Sequence, residues 1–274
     1  MKIIIHMSDI HFGKIDEHII PQLLLSISEI SPDLVIISGD LTQRATVKEF
    51  IRAKAFLEEL KKVGRKYFVI PGNHDIEPVF KPLSRIVRPY KNYKKYIADD
   101  IEPVYFDDEI AVASINTARA RNVKNGGINV EQIKKIETWF ALFPSSLTKI
   151  LVMHHPIDLP IISQVRKLLP RAESVMKQFS EQSIDLYLSG HYHTSSAITT
   201  GERYILPEYS AVAVQAGTLS KRMRGEVPSF NVLKIEKQII EVRSWQWNTI
   251  ENTFASYGVS IFTCEIGKWR KKKM

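Results

Sequence analysis

The 274-residue sequence predicts an α/β fold with a βαβ core, on three observations. Short, almost wholly apolar runs recur along the chain, as strands buried on both faces require. Amphipathic helical patterns lie between them, the alternation expected around a central sheet. Carboxylate, amide and imidazole side chains then follow the ends of these runs, the edge where open α/β sheets bind ligands.

The runs are Ile3–Ile5, Leu34–Ile37, Tyr67–Ile70 and Ile150–Met153, with Leu186–Leu188 a fifth. Between the first three, helical spacing covers about Glu17–Ile30 and Thr46–Val63, the second with Phe50, Ala53, Leu57 and Leu60 on one face. Gly64 gives that helix a C-terminal stop signal. Residues 78–103 are richer in proline, lysine and tyrosine and read as a lid or insertion, partly helical. Tyr90, Tyr93 and Tyr96 within it are expected to pack this segment onto the body. Val104–Phe106 and Ile110–Ile115 form a hairpin turning at Asp107-Asp108. Asn129–Phe143 is an amphipathic helix with Ile133, Ile136, Trp139 and Phe140 inward. A further helix is expected over Ser163–Gln182, interrupted by Pro170. From Ser196 onward alternating strand patterns dominate, including Phe230–Ile235 and Ile239–Trp245. No repeat or linker divides the chain, so residues 1–274 are expected to form a single domain.

Hydrophobic residues make up 44 % and charged residues 25 %, an ordinary globular composition. Cys264 is the only cysteine, which excludes a disulfide framework and a Cys-rich zinc knuckle and fits a reducing, cytoplasmic setting. No run is long enough to span a bilayer, and the first residues lack the apolar core of a signal peptide. The formal net charge is +8. Five of those charges, Lys268, Arg270, Lys271, Lys272 and Lys273, lie in the last seven residues, leaving about +3 for the rest. That is a weak electrostatic footprint for nucleic acid, which is not expected as a partner. Residues 268–274 are expected to be a solvated basic tail, with Trp269 and the cations offering weak contact to a membrane surface.

The chemistry sits after the runs: Asp9 and His11, then Gly39-Asp40, then Gly72-Asn73-His74-Asp75, then His154-His155, then Gly190-His191-Tyr192-His193. Taken singly each residue has a structural explanation. Asp9 and Asp40 could cap helices, Asn73 could occupy a turn, and His6 and His18 read as structural. His155 should face away from His154, because neighbours on an extended chain alternate. Five segments converging on one sheet edge outweigh those explanations. Mn²⁺, Fe²⁺ and Zn²⁺ accept such mixed ligands, and a carboxylate such as Asp40 can bridge two ions. Two metals about 3.5–4 Å apart can clamp a phosphate during in-line attack.

This ordered series resembles the calcineurin-like metallophosphoesterase superfamily, over residues 9–193, and most closely its bacterial branch of class III cyclic nucleotide phosphodiesterases. The resemblance implies a four-layer αββα sandwich with two mixed β-sheets flanked by helices. It implies one metal held by Asp9, His11, Asp40 and His193 and a second held by Asp40, Asn73, His154 and His191. His74 would stand beside the phosphate as a stabiliser or proton donor. Asn116-Thr117, Gly127, Gln132 and Trp139 also look like this branch, where they support the rim of the site. Leu41-Thr42 departs from relatives that carry an acid or amide after the Gly-Asp pair.

The expected function is hydrolysis of a phosphodiester, with a cyclic nucleotide as leading example, by a metal-bridging hydroxide, with two divalent ions per chain and a small phosphate ester as substrate. The enzymatic alternatives are a phosphomonoesterase or a nucleotide-lipid pyrophosphatase. The non-enzymatic alternative is a metal-binding scaffold, which should have lost ligands that this chain retains. Arg119 and Arg121, after Ile115, are candidates to pair with phosphate or simply to be solvated.

Overall fold

Successive residues of the first strand, β1 (Lys2–Met7), belong to different cores. Ile5 and Met7 pack against helices, whereas Ile4 packs against a second sheet. This is the period of two expected of a strand buried on both faces, and it explains why the run carries no inward–outward alternation. The chain continues through α1 (Ile19–Ile30), β2 (Leu34–Ile37), α2 (Val47–Lys62) and β3 (Tyr67–Val69). Thr46 and Glu49 form a reciprocal capping box that starts α2. β1, β2 and β3 pair in parallel. This computed structural model describes every residue except 79, 123, 162–166, 223–224 and 273–274.

Two short helices follow, α3 (Pro82–Val87) and α4 (Lys91–Tyr96). As expected, tyrosines pack this segment down. Tyr93 is fully buried with its hydroxyl on Val69 O, Tyr90 donates to Ala118 O, and Tyr96 stacks on Phe50. Then come β4 (Val104–Phe106), β5 (Ile110–Ile115), α5 (Val130–Phe140), β6 (Thr148–Met153), α6 (Ala172–Ser180) and β7 (Leu186–Ser189). The hairpin at Asp107-Asp108 is present, with Asp107 Oδ1 accepting from Glu109 N and Ile110 N. α5 starts on a capping box between Asn129 and Gln132.

The remaining strands are β8 (Ser196–Thr199), β9 (Val212–Gln215), β10 (Ser229–Glu236), β11 (Ile239–Asn248), β12 (Thr253–Glu265) and β13 (Lys268–Lys271). One sheet runs β13-β12-β11-β10-β1-β2-β3 and the other β4-β5-β6-β7-β9-β8. Both mix parallel and antiparallel pairs. The sheets face each other across a core of Ile4, Leu34, Ile36, Val112, Ile150, Val152, Leu188, Val214 and Leu233. α1 and α2 cover the outer face of the first sheet, and α5 and α6 that of the second. The expected four-layer αββα sandwich is therefore the observed fold. Among the described residues no helix is long and apolar enough to cross a membrane.

Two expectations need correction. The helix expected over Ser163–Gln182 begins only at Ala172, and 163–166 lie outside the described residues. Arg171 adopts a left-handed backbone at φ 60°, so α6 starts only after the interruption expected at Pro170. The basic end is not a solvated tail through Lys271. Lys268–Lys271 pair antiparallel with β12, and Trp269 is 4 % exposed, its Nε1–H donating to Asp185 at 3.0 Å. Trp269 alone of this strand turns in, while Arg270 and Lys271 are exposed.

Candidate metal centre

β1, β2 and β3 run parallel in the first sheet and β6 and β7 in the second, and each ends where a polar segment begins. The residues following them meet at one edge of the sandwich. Asp9, His11, Asp40, His154 and His193 are at most 3 % exposed and Asn73 is 6 % exposed. Five of the seven expected ligands, Asp9, His11, Asp40, His191 and His193, have positive φ, between 50° and 78°. Side chains rarely adopt this region, and such strain persists where the surroundings over-determine it. Gly39 and Gly72 make room for the crowding. A Cβ on Gly72 would lie 2.1 Å from Asp40 Oδ1, and one on Gly39 would lie 2.6 Å from His154 Nδ1.

The expected ligands fall into two donor sets. In the first, Asp9 Oδ1 lies 3.2 Å from His193 Nε2 and 3.6 Å from His11 Nε2, and the two imidazole nitrogens are 3.2 Å apart. In the second, Asn73 Oδ1 lies 3.0 Å from both His154 Nε2 and His191 Nδ1. Asp40 Oδ2 stands between the sets, 3.8 Å from His11 Nε2 and 3.3 Å from His154 Nε2. Asp9, His11 and His193 form one group close enough to hold a metal ion, and Asp9, Asp40 and His154 another.

The surrounding hydrogen bonds orient these donors. His11 Nδ1 meets Thr42 O, His154 Nδ1 meets Ser38 O, and His193 Nδ1 meets Arg222 O. A proton on each Nδ1 leaves all three Nε2 lone pairs pointing inward, as outer-shell carbonyls arrange for metal-binding histidines. The second oxygen of each carboxylate is already engaged: Asp9 Oδ2 accepts from His191 N and Asp40 Oδ1 from His74 N. Asp9 Oδ1 is buried without a hydrogen-bond partner. An orphaned carboxylate oxygen surrounded by imidazole lone pairs fits a cation.

The electrostatics agree. Burial pushes the Asp9 carboxyl up, but the His11, His193 and His154 imidazoles around it outweigh burial and hold Asp9 well below the usual range. Burial also opposes ionisation of Asp40, yet the charge of His154 and its neighbours keeps it low. Burial alone would depress His154, but the Asp40 carboxylate raises it to about 9. The negative field that attracts a proton there would also attract a divalent ion.

His74 sits beside the donors without joining them. Its ring meets His11 edge-on, with centroids 4.8 Å apart. Its Nδ1 lies 2.8 Å from Gln43 O, and its Nε2 lies 3.2 Å from Arg222 Nη1. Because the guanidinium can only donate, this geometry assigns the proton to Nδ1 and leaves Nε2 accepting. Arg222 and Gln43 were not singled out in the sequence. Arg222 follows no motif and reaches the site only because β9 and β10 return the chain to this edge. Asp75 also has a role that its motif did not specify: it ties two ligand-bearing loops together, accepting from Leu41 N, Thr42 N, Thr42 Oγ1 and Gly72 N. Burial and the nearby Asp40 charge push its pKa up to about 6.

The other expectations sort as follows. His155 lies behind the donors, its Nδ1 on Thr117 Oγ1 at 2.9 Å and its ring packed against His191. His6 is a buried support, its Nε2 on Ser38 Oγ at 2.9 Å. Arg119 is half-buried; it donates to Asn116 O and Gln132 Oε1 and braces the loop before α5.

The sequence profile of the calcineurin-like phosphoesterase family matches residues 3–195, which contain all seven donors and His74. The chain belongs to that family. As a calcineurin-like phosphoesterase it is similar to a probable glycerophosphodiester phosphodiesterase of Arcobacter nitrofigilis, 26 % identical over 58 % of this chain and 59 % of the relative. It is also similar to a probable cyclic nucleotide phosphodiesterase of Synechococcus, 27 % identical over 60 % of this chain and 58 % of that one. A 3′,5′-cyclic adenosine monophosphate phosphodiesterase of Haemophilus influenzae is 25 % identical over 59 % of this chain and 54 % of its own length. The match thus spans little more than half the length of these relatives. Among solved structures, a dimetal phosphatase of Danio rerio superposes with a TM-score of 0.64 at 13 % identity, over 89 % of this chain and 95 % of that one. A purple acid phosphatase of yellow lupin gives 0.70 at 11 % identity, over 96 % of this chain and 53 % of that one. Both share the calcineurin-like fold.

Proposed function

We propose that this calcineurin-like phosphoesterase hydrolyses a phosphodiester with two divalent ions, one held by Asp9, His11, Asp40 and His193 and the other by Asp40, Asn73, His154 and His191. The observation that carries the reading is Asp40 Oδ2, placed between His11 Nε2 and His154 Nε2 so that one oxygen serves both donor sets. When bound, the ions supply a water-derived nucleophile near neutral pH and neutralise charge on the phosphate. The carboxylate, amide and imidazole donors suit Mn²⁺, Fe²⁺ or Zn²⁺.

The chain's own residues supply positioning. Thr42 O, Ser38 O and Arg222 O lock three imidazoles so that no rotation is needed when substrate arrives. The Arg222 guanidinium, resting on His74 Nε2, is the cation beside the site, and a turn toward a phosphate oxygen would give a charge-assisted contact. His74 holds that guanidinium in the resting arrangement. Once Arg222 moves to phosphate, His74 Nε2 is free to take a proton from solvent and pass it to the departing oxygen. A cavity of about 340 Å³ lined by Gln43, Arg44, Asn73, His74, Ile76, Pro78 and Phe80 adjoins these groups and would take the rest of the ester.

The choice of a diester draws on the names of the relatives, which act on glycerophosphodiesters or cyclic nucleotides. The test is a panel run on metal-reconstituted protein: bis-p-nitrophenyl phosphate, p-nitrophenyl phosphate, cyclic nucleotides and a nucleotide pyrophosphate. Turnover of diesters above the monoester and the pyrophosphate is expected. A preference for either of the latter would overturn the diester assignment.

A further inference from the structure

The helix α3 is amphipathic the wrong way round. Leu83, Ile86 and Val87 share one face at spacings of three and four, and they are 76, 57 and 64 % exposed. Phe80, just before the helix, is 70 % exposed. The polar side of the helix is the one turned to the protein. Arg85 is buried, its guanidinium donating to Glu77 O and to Ala120 O, and Ser84 Oγ donates to Glu77 Oε2. A surface helix normally buries its apolar stripe. A contiguous exposed one marks a contact surface.

The segment carrying this face is mainly basic, with Glu77 buried beneath the helix and 3.9 Å from Lys81 Nζ. From Pro78 to Ala98 the sequence holds Lys81, Arg85, Arg88, Lys91, Lys94 and Lys95 and no acidic residue. All of these except Arg85 are exposed. We infer that α3 docks the protein onto an anionic lipid bilayer, with Phe80, Leu83, Ile86 and Val87 entering the interface and the lysines and Arg88 meeting lipid phosphates. Apolar side chains on one face with flanking cations are the pattern of interfacial helices, and each cation near an anionic leaflet adds to binding. A second copy of the chain fits the face poorly, because a two-fold contact would set these cations against one another. The apolar part, three side chains on a six-residue helix and Phe80 just before it, also falls short of the about 800 Å² per partner that stable protein interfaces bury. Pro78 and Phe80 line the cavity next to His74, so the docked protein would hold that cavity at the lipid surface. The membrane contact expected of the C-terminal residues thereby moves to α3, since Trp269 is spent inside the fold.

The test is co-sedimentation of the full metal-loaded chain with phosphatidylcholine vesicles, with and without phosphatidylglycerol. The wild type should bind only the phosphatidylglycerol vesicles and should be released by salt. The double substitution Leu83→Glu/Ile86→Glu should weaken that binding about tenfold or more, while turnover of soluble bis-p-nitrophenyl phosphate, a check on folding, stays unchanged. Absence of wild-type binding would overturn the inference, as would equal binding by the double variant. A wild-type dimer that the double variant converts to monomer would overturn it too, by assigning the face to a second copy.

Discussion

His11 Nε2 and His193 Nε2 face each other at 3.2 Å in a pocket almost sealed from water, with the Nδ1 of each ring on a backbone carbonyl. Two lone pairs so placed repel unless a proton or a cation lies between them, and Asp9 Oδ1 beside them has no donor. Metal should therefore stabilise the folded state. At a hundredfold excess over Kd the gain is about 2.7 kcal/mol by mass action. Thermal scans in chelator and in Mn²⁺ would measure it, and equal midpoints would contradict it.

Arg222→Ala should leave the metals in place, because only the backbone carbonyl of Arg222 contacts a donor. It should lower kcat/KM for a diester by roughly 10–100-fold, the loss of one charge-assisted hydrogen bond worth about 1.5–3 kcal/mol. Arg222→Lys should restore only part of the rate, since a point charge does not replace the planar fork. Steady-state kinetics with metal analysis of the same samples decides the point. Full activity in the alanine variant would remove Arg222 from the site.

His74→Ala should also keep its metals, and its rate defect should depend on the leaving group. Proton donation contributes ~10²–10⁴-fold where the leaving oxygen is a poor one. An alkyl ester should therefore slow far more than a p-nitrophenyl ester. Equal defects on both would assign His74 to phosphate binding alone, and loss of a metal would make it a ligand.

Trp269→Ala should destabilise the fold by about 3–5 kcal/mol, the usual cost of emptying a buried tryptophan site. Deleting residues 268–274 should cost at least as much, because β13 leaves with it and the Asp185 carboxyl loses its indole donor. Denaturant melts of both proteins would show it. A deletion that melts like the full chain would restore the picture of a loose tail.

What was legible in the sequence follows from where the chemistry lies. Asp9, His11, Asp40, Asn73, His154, His191 and His193 each sit within a few residues of the end of a buried strand, so local pattern and topology pointed to the same edge. Arg222 lies far from any motif, on a connection whose path depends on how β9 and β10 pair. Trp269 was hidden because five cations surround it, and charge reads as solvent exposure even when one residue among the cations turns inward. The interruption expected at Pro170 is present, with the left-handed Arg171 just before α6, while residues 163–166 of that expected helix lie outside the described residues. α3 escaped notice because its apolar face follows ordinary helical spacing, and spacing does not say which side the protein covers.

The central claim is that Asp40 joins two metal sites, and metal stoichiometry by elemental analysis tests it most directly. Wild-type protein reconstituted with Mn²⁺ should hold two ions per chain. His11→Ala should first weaken one site, whereas Asp40→Ala should weaken both. A wild-type stoichiometry that never exceeds one, or an Asp40→Ala protein that still holds two, would contradict the account.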